Sequence, residues 1–178
     1  VDNYGGAYAM VRHLCERGHR QIALISGGEN NFDAQERLRG YRDAMAALLP
    51  GSREIVVRGD FSEESGYRAG QPLLALKTRP AAIFASDDMM AIGCVFALNE
   101  AGLQVPRDIA LAGFDDIPIA RFVTPPLTTV RVRIADLGER ALERLALIIV
   151  SAEPVRNSMQ TINPELVIRN SCGTTSAS

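Results

Sequence analysis

Several things are scarce or missing in this sequence, and each absence narrows what the chain can do. It has two histidines and three cysteines in 178 residues. The cysteines, Cys15, Cys94 and Cys172, are odd in number and far apart, which argues against a disulfide framework or a zinc site. Cys15 and Cys94 lie in apolar helical patterns and read as small core residues. A reducing cytoplasm is therefore the expected compartment. The net charge is -2 and no basic tract stands out, so nucleic acid finds no electrostatic footprint here. No apolar run reaches the roughly 20 residues that a membrane span needs, and no membrane partner is expected. The first residues, Val1-Asp2-Asn3-Tyr4-Gly5-Gly6, do not have the makeup of a secretory signal. There is no G-x-G-x-x-G, no G-x-S-x-G, and Gly27-Gly28 lacks the Gly-Lys-Ser/Thr of a P-loop. His13 falls inside the first expected helix and His19 after its stop, so neither suits a Ser-His-Asp arrangement. Neither a cofactor nor an enzymatic reaction is expected.

What is present is apolar and alternating. The chain is 47% apolar, enough for one domain that buries roughly 70% of its unfolded surface. Residues 4–17 predict a helix with Ala7, Val11, Leu14 and Cys15 on one face and Gly18 as its stop. Ile22-Ala23-Leu24-Ile25 predicts a strand, and Leu38, Tyr41, Met45 and Leu48 predict a second helix closing at Pro50-Gly51. Ile55-Val56-Val57 is the next strand, and Ser62 can cap a helix that is short or kinked near Pro72. Ala82-Ile83-Phe84-Ala85, a helix through Met90, Cys94 and Leu98, and Ile109-Ala110-Leu111-Ala112 continue the alternation. Short continuous apolar strands alternating with helices predict an α/β fold, a doubly wound parallel sheet covered on both faces. The last third departs from this. Residues 127–132 read as extended, and 134–150 as an amphipathic helix with Leu137, Ala141, Leu145 and Ile148 on one side. Pro154 is its expected stop, Leu166-Val167-Ile168 is a last strand, and the tail from Gly173 has no core pattern.

Ligands of open parallel sheets bind outside the carboxyl ends of the strands. Here those ends carry Asn31 and Asp33, then Asp60 and Phe61, then Asp87-Asp88, then Asp115-Asp116, with Arg37 early in the second helix. Acids, an amide, an arginine and a phenyl ring together suit a polyhydroxylated ligand. Carboxylates accept from hydroxyls, arginine donates in a fork, and the ring packs on C–H faces. Each residue also has a plainer reading. Asp88 and Asp116 are as readily N-caps of the next helix or turn, which leaves Asp87 and Asp115 as the better site residues. Arg37 reads equally as a solvated helix residue, like Arg39 and Arg42, and Phe61 as core. Adjacent acids could also hold a metal, but neighbouring residues point apart.

Gly18-His19-Arg20, Arg37-Leu38-Arg39-Gly40-Tyr41, Ser86-Asp87-Asp88-Met89-Met90-Ala91-Ile92-Gly93, Val105-Pro106-Arg107-Asp108-Ile109 and Gly113-Phe114-Asp115-Asp116 occur in this order. With Pro125-Pro126-Leu127-Thr128-Thr129-Val130, the most specific of them, they resemble the LacI/GalR family of bacterial transcription regulators over nearly the whole chain. The resemblance implies a periplasmic-binding-protein-like (type I) effector domain, with residues 1–178 mainly its C-terminal lobe. In that reading helix 134–150 belongs to an otherwise missing N-terminal lobe, and the helix-turn-helix headpiece is absent. Asp2-Asn3, residues 125–131 and the stretch before Pro164 resemble the three crossovers between lobes. Arg37 and Asp115 resemble the family's effector-binding arginine and aspartate. Asn31 and Asp33 fall at polar contact positions, Phe61 at the stacking position, and Asp87 where some members use asparagine. The helix with Met90 and Ile92, and the segment ending at Phe122, resemble the family's dimer surface. The implied partners are a small-molecule effector, most simply a carbohydrate, a second copy as homodimer, and operator DNA only through the headpiece. A transport receptor of the same fold and a carboxylate- or metal-dependent enzyme are the competing readings.

Overall fold

The structure, a computed structural model, describes residues 1–150 and 161–173. The expected helix stop at Pro154 and the tail beyond Gly173 lie outside those residues. The chain alternates as its pattern predicts. Helix α1 (Asn3–Glu16) starts at Asp2, whose carboxylate accepts from Gly5 N at 2.8 Å. It stops where Gly18 adopts a positive φ of 91°. Then come β1 (Ile22–Ser26), α2 (Phe32–Leu48), β2 (Ile55–Arg58), α3 (Glu63–Leu74), β3 (Ala82–Ala85), α4 (Asp88–Glu100) and β4 (Ala110–Ala112). Ser62 caps α3 by accepting from Ser65 N, and α3 ends two residues past Pro72, a residue that cannot donate to the helix ladder.

The four strands form one parallel sheet in the order β2-β1-β3-β4. Alternate side chains feed two cores. Ile22, Leu24, Phe84, Ala110 and Ala112 pack with α1 and α2. Ala23, Ile25, Ile83, Ala85 and Leu111 pack with α3 and α4. Burial on both faces is why the strands read as unbroken apolar runs. A buried side chain such as Leu24 contributes about 1.5–3 kcal/mol through its area alone. Helices α3 and α4 approach backbone to backbone. A Cβ on Gly66 would overlap Met90, and one on Gly93 would overlap the Glu63 carbonyl, so both helices need glycine at those points.

Beyond β4 the chain makes a short 3-10 helix (Pro118–Arg121), then β5 (Thr129–Arg131), α5 (Ile134–Val150) and β6 (Glu165–Val167). The segment around β5 continues the sheet along the edge of β4, where Gly113 N donates to Thr128 O and Asp115 N to Val130 O. β5 pairs antiparallel with β6, and Asp2 N donates to Ile162 O. The three stretches expected to be crossovers thus lie side by side. Helix α5 has no buried residue; Leu137, Leu145 and Ile148 are all exposed.

Two assignments from the sequence are corrected by the structure. The cap of α4 is Asp87, accepting from Met90 N, and not Asp88. Asp88 is instead a buried brace, accepting from Thr129 Oγ1 at 2.6 Å and Ile117 N at 2.9 Å. Asp116 caps nothing either. It holds Arg131 Nε at 2.7 Å and Arg169 Nη2 at 2.5 Å, clamping β5 to the segment that follows β6. Burial opposes its ionisation, but the two guanidinium groups outweigh that and hold its pKa below the usual carboxylate value.

Candidate functional site

From β1 the chain winds through α2 to β2 on one side, and it then returns past β1 to β3 on the other. The winding therefore reverses between β1 and β3, which opens a crevice at their carboxyl ends. A cavity of about 240 Å³ lies there, lined by Asn31, Asp33, Arg37, Phe61, Asp87 and Asp115. The structure thus brings together the six residues expected to meet a ligand, while Asp60, Asp88 and Asp116, also at strand ends, do not line the cavity. A larger hollow of about 380 Å³ runs along the outer flank of α2 beside Gln35, Arg42 and Arg58. It is rimmed by exposed ion pairs, Arg42 with Glu54 and Arg58 with Glu29, and is a solvated groove.

Arg37 organises the cavity. It is 6% exposed, unlike Arg39 and Arg42, which reach solvent. Its Nε donates to Asn3 Oδ1 at 2.8 Å, Nη1 to Ser86 O at 2.5 Å, and Nη2 to Asp115 Oδ1 at 3.1 Å. The Phe114 ring lies 3.8 Å from the guanidinium carbon and covers one face. Its fork therefore ties together α1, the end of β3 and the end of β4. Burial raises the Asp115 pKa, while the charge and hydrogen bond of Arg37 pull it back.

The acids are held at different depths. Asp33 stands in the first turn of α2, exposed, and Oδ1 accepts from Asn3 Nδ2 at 2.8 Å. Asn31 caps the same helix by accepting from Ala34 N at 2.9 Å. Asp87 is buried; burial first, and the Asp115 charge second among the raising causes, push its pKa up to about 6 against the pull of Met90 N–H. Phe61 lays its half-buried ring against Gly27, where any Cβ would collide with it.

Backbone strain marks the same place. Among the described residues, three that are not glycine have positive φ, namely Phe61 at 70°, Asp115 at 106° and Asp116 at 55°. For a bulky phenylalanine that conformation is unfavourable, and such strain persists where the surroundings over-determine it, commonly at ligand sites. Phe61 and Asp115 both line the cavity.

Sequence reasoning missed three supporting groups. Asn3 sits between Asp33 and Arg37 and is 3% exposed, yet its partners lie 30 and 34 residues away. Phe114 and the Ser86 carbonyl serve Arg37 in the same way, and no local pattern announces them. The Ser86 hydroxyl is buried with no partner among the described residues. Of the residues expected at a dimer surface, Met90 is fully buried and Ile92 is 9% exposed, whereas Phe122 is open to solvent. The exposed apolar side chains near there are Met89, Phe96, Ile119 and Phe122. Among the described residues no helix is long and apolar enough to cross a membrane.

Comparison with known proteins agrees with the topology. A family described as periplasmic binding protein-like domain matches residues 11–172. The HTH-type transcriptional repressor PurR of Shigella dysenteriae serotype 1 is 40% identical over 173 residues, which is 96% of this chain and 50% of that protein. The chain spans about half the length of the curated relatives it matches. Among solved structures, the Escherichia coli transcriptional repressor ascG superposes with a TM-score of 0.88 at 30% identity, covering 98% of this chain and 63% of that one. A transcriptional regulator CelR–cellobiose complex gives 0.86 at 34% identity, covering 96% and 52%. A LacI family regulator from Enterococcus faecium with bound ribose gives 0.88 at 27% identity, covering 97% and 63%. This chain belongs to the periplasmic binding protein-like domain family, in the form carried by LacI-family transcriptional regulators.

Proposed function

We propose that this chain is the effector-sensing part of a cytoplasmic transcription regulator and not an enzyme. A small molecule binds at the cavity lined by Asn31, Asp33, Arg37, Phe61, Asp87 and Asp115. The observation that carries this is the convergence itself. Residues from the ends of four parallel strands, two of them with strained backbones, meet at one cavity. Hydroxyl-rich ligands fit its carboxylates and phenyl face best, and cellobiose and ribose are the ligands bound in two similar structures. We therefore read the effector as a carbohydrate or a close relative of one.

In this reading the cavity is one half of a cleft. Helix α5 belongs to a second lobe, and the ligand sits between the two. The β5 and β6 strands, clamped by Asp116, carry lobe closure as a rigid-body motion. A homodimer forms around Phe96, Ile119 and Phe122, and operator DNA is read by a segment outside this sequence. A thermal-melt panel of pentoses, hexoses, sugar acids and nucleosides tests the reading. A true effector stabilises by about 2.7 kcal/mol at a hundredfold excess over its dissociation constant, and Phe61→Ala abolishes that shift. A shift that survives Phe61→Ala places the ligand elsewhere.

A further inference from the structure

The charge of the cavity narrows the class of its ligand, an inference that rests on the effector reading above. Three carboxylates line it, and each has one oxygen committed within the protein. Asp33 Oδ1 accepts from Asn3 Nδ2, Asp87 Oδ1 from Met90 N and Asp115 Oδ1 from Arg37 Nη2. Among the described residues, the second oxygen of each makes no hydrogen bond. Asn31 spends its carbonyl on Ala34 N and keeps its Nδ2 donor. The uncommitted set is thus rich in acceptors.

Positive charge in the cavity comes from Arg37 alone among its lining residues. That guanidinium is buried, donates in three directions to the protein, and is covered on one face by Phe114. Its charge is matched by Asp115, its ion-pair partner. Asp33 and Asp87 make no ion pair among the described residues, although the Arg37 charge does pull the Asp87 pKa down, and Asp87 is only 7% exposed. The acids also repel one another. Asp115 raises the Asp87 pKa, and Asp33 raises that of Asp115. An anionic ligand would add to this excess, whereas a cation would relieve it.

We propose that the cavity selects a polyol bearing a protonated amine and rejects carboxylates and phosphates, with Asp33 and Asp87 as its specificity-determining residues. The ammonium donates charge-assisted hydrogen bonds to the open oxygens of these two acids. The C–H face of the ring rests on Phe61, whose negative π face also favours a nearby cation.

The test compares three pyranoses of one size that differ in charge, namely glucosamine, glucose and glucuronate, titrated at neutral pH into this chain. The readout is the carbon-13 shift of the aspartate carboxyls, which detects weak binding and reports on the acids themselves. Glucosamine is expected to move Asp33 and Asp87 at about tenfold lower concentration than glucose, a difference of about 1.4 kcal/mol. Glucuronate is expected to move neither. The double variant Asp33→Asn, Asp87→Asn keeps the Asn3 contact and the α4 cap, and should bind glucosamine and glucose alike. Glucuronate binding as well as glucose, or glucosamine binding no better, overturns the charge selection and leaves the carbohydrate reading standing. If no sugar moves any of the three carboxyls, both the selection and the effector reading fall.

Discussion

Arg37 Nη2 lies 3.1 Å from Asp115 Oδ1, joining the first turns of α2 to the residue that ends the β4 edge. The arginine side chain is 7% exposed and the aspartate 31%. Removing one partner of such a pair strands the other. Arg37→Met should lower stability to urea by about 3 kcal/mol or more. Arg37→Lys should recover little, because an ammonium cannot reach Asn3, Ser86 and Asp115 at once with a planar fork. Near-parental urea midpoints for either variant would show that the fork is not structural.

Asp88 gives a pH prediction with a definite sign. Burial first raises its pKa from 3.8 to about 7, against the pull of Thr129 Oγ1 and Ile117 N–H. A raised folded-state pKa means that the folded chain holds this proton more tightly than the unfolded chain does. The associated stability is complete below about pH 4 and is lost as pH rises through 7, by at most about 4 kcal/mol. The stability of the parent relative to Asp88→Asn should therefore fall as pH rises across that window. Denaturant midpoints at several pH values for the two proteins measure it; a constant difference contradicts the burial account.

Asp116 is predicted to hold β5 and the segment after β6 together. Its side chain is 2% exposed, and it bonds both Arg131 and Arg169. Asp116→Ala leaves both cations without that acceptor and puts a Cβ-only side chain at a φ of 55°. A loss of about 2–4 kcal/mol is expected. The local consequence is more telling. The Asp115 amide, which donates to Val130 O at 2.7 Å, should exchange with solvent faster than in Asp116→Asn. Equal exchange in the two variants would separate the clamp from the strand pairing.

Helix α5 exposes Leu137, Leu145, Leu147 and Ile148. A patch of that kind promotes association in a chain prepared alone. Sedimentation should show concentration-dependent self-association, reduced by Leu145→Lys with Ile148→Lys. A parental chain that sediments as a monomer at all concentrations would contradict this.

The sheet was legible because β1, β3 and β4 are buried on both faces, so Ile22 to Ile25 and Ala82 to Ala85 read as unbroken apolar runs. The residues that line the cavity could be grouped from the sequence because a parallel sheet sends every strand's carboxyl end to one edge. Less could be read where two neighbours share one chemistry. Asp87 and Asp88 can each cap a helix, and only the register of the first turn of α4 decides between them. Met90 and Ile92 could not be sorted from Met89 and Phe96, because α4 is apolar on most of its circumference and carries no polar face to orient it. Asn3 was invisible for a different reason. Its role exists only once α1 packs on α2 and brings it to Asp33 and Arg37.

The most direct test of the effector site is a crystal structure of this chain grown with the compound that gives the largest melting shift. The account predicts ligand density within hydrogen-bond distance of Asp87 and Asp115, with a ring face against Phe61. Density outside this cavity, with the cavity itself holding solvent, would contradict it.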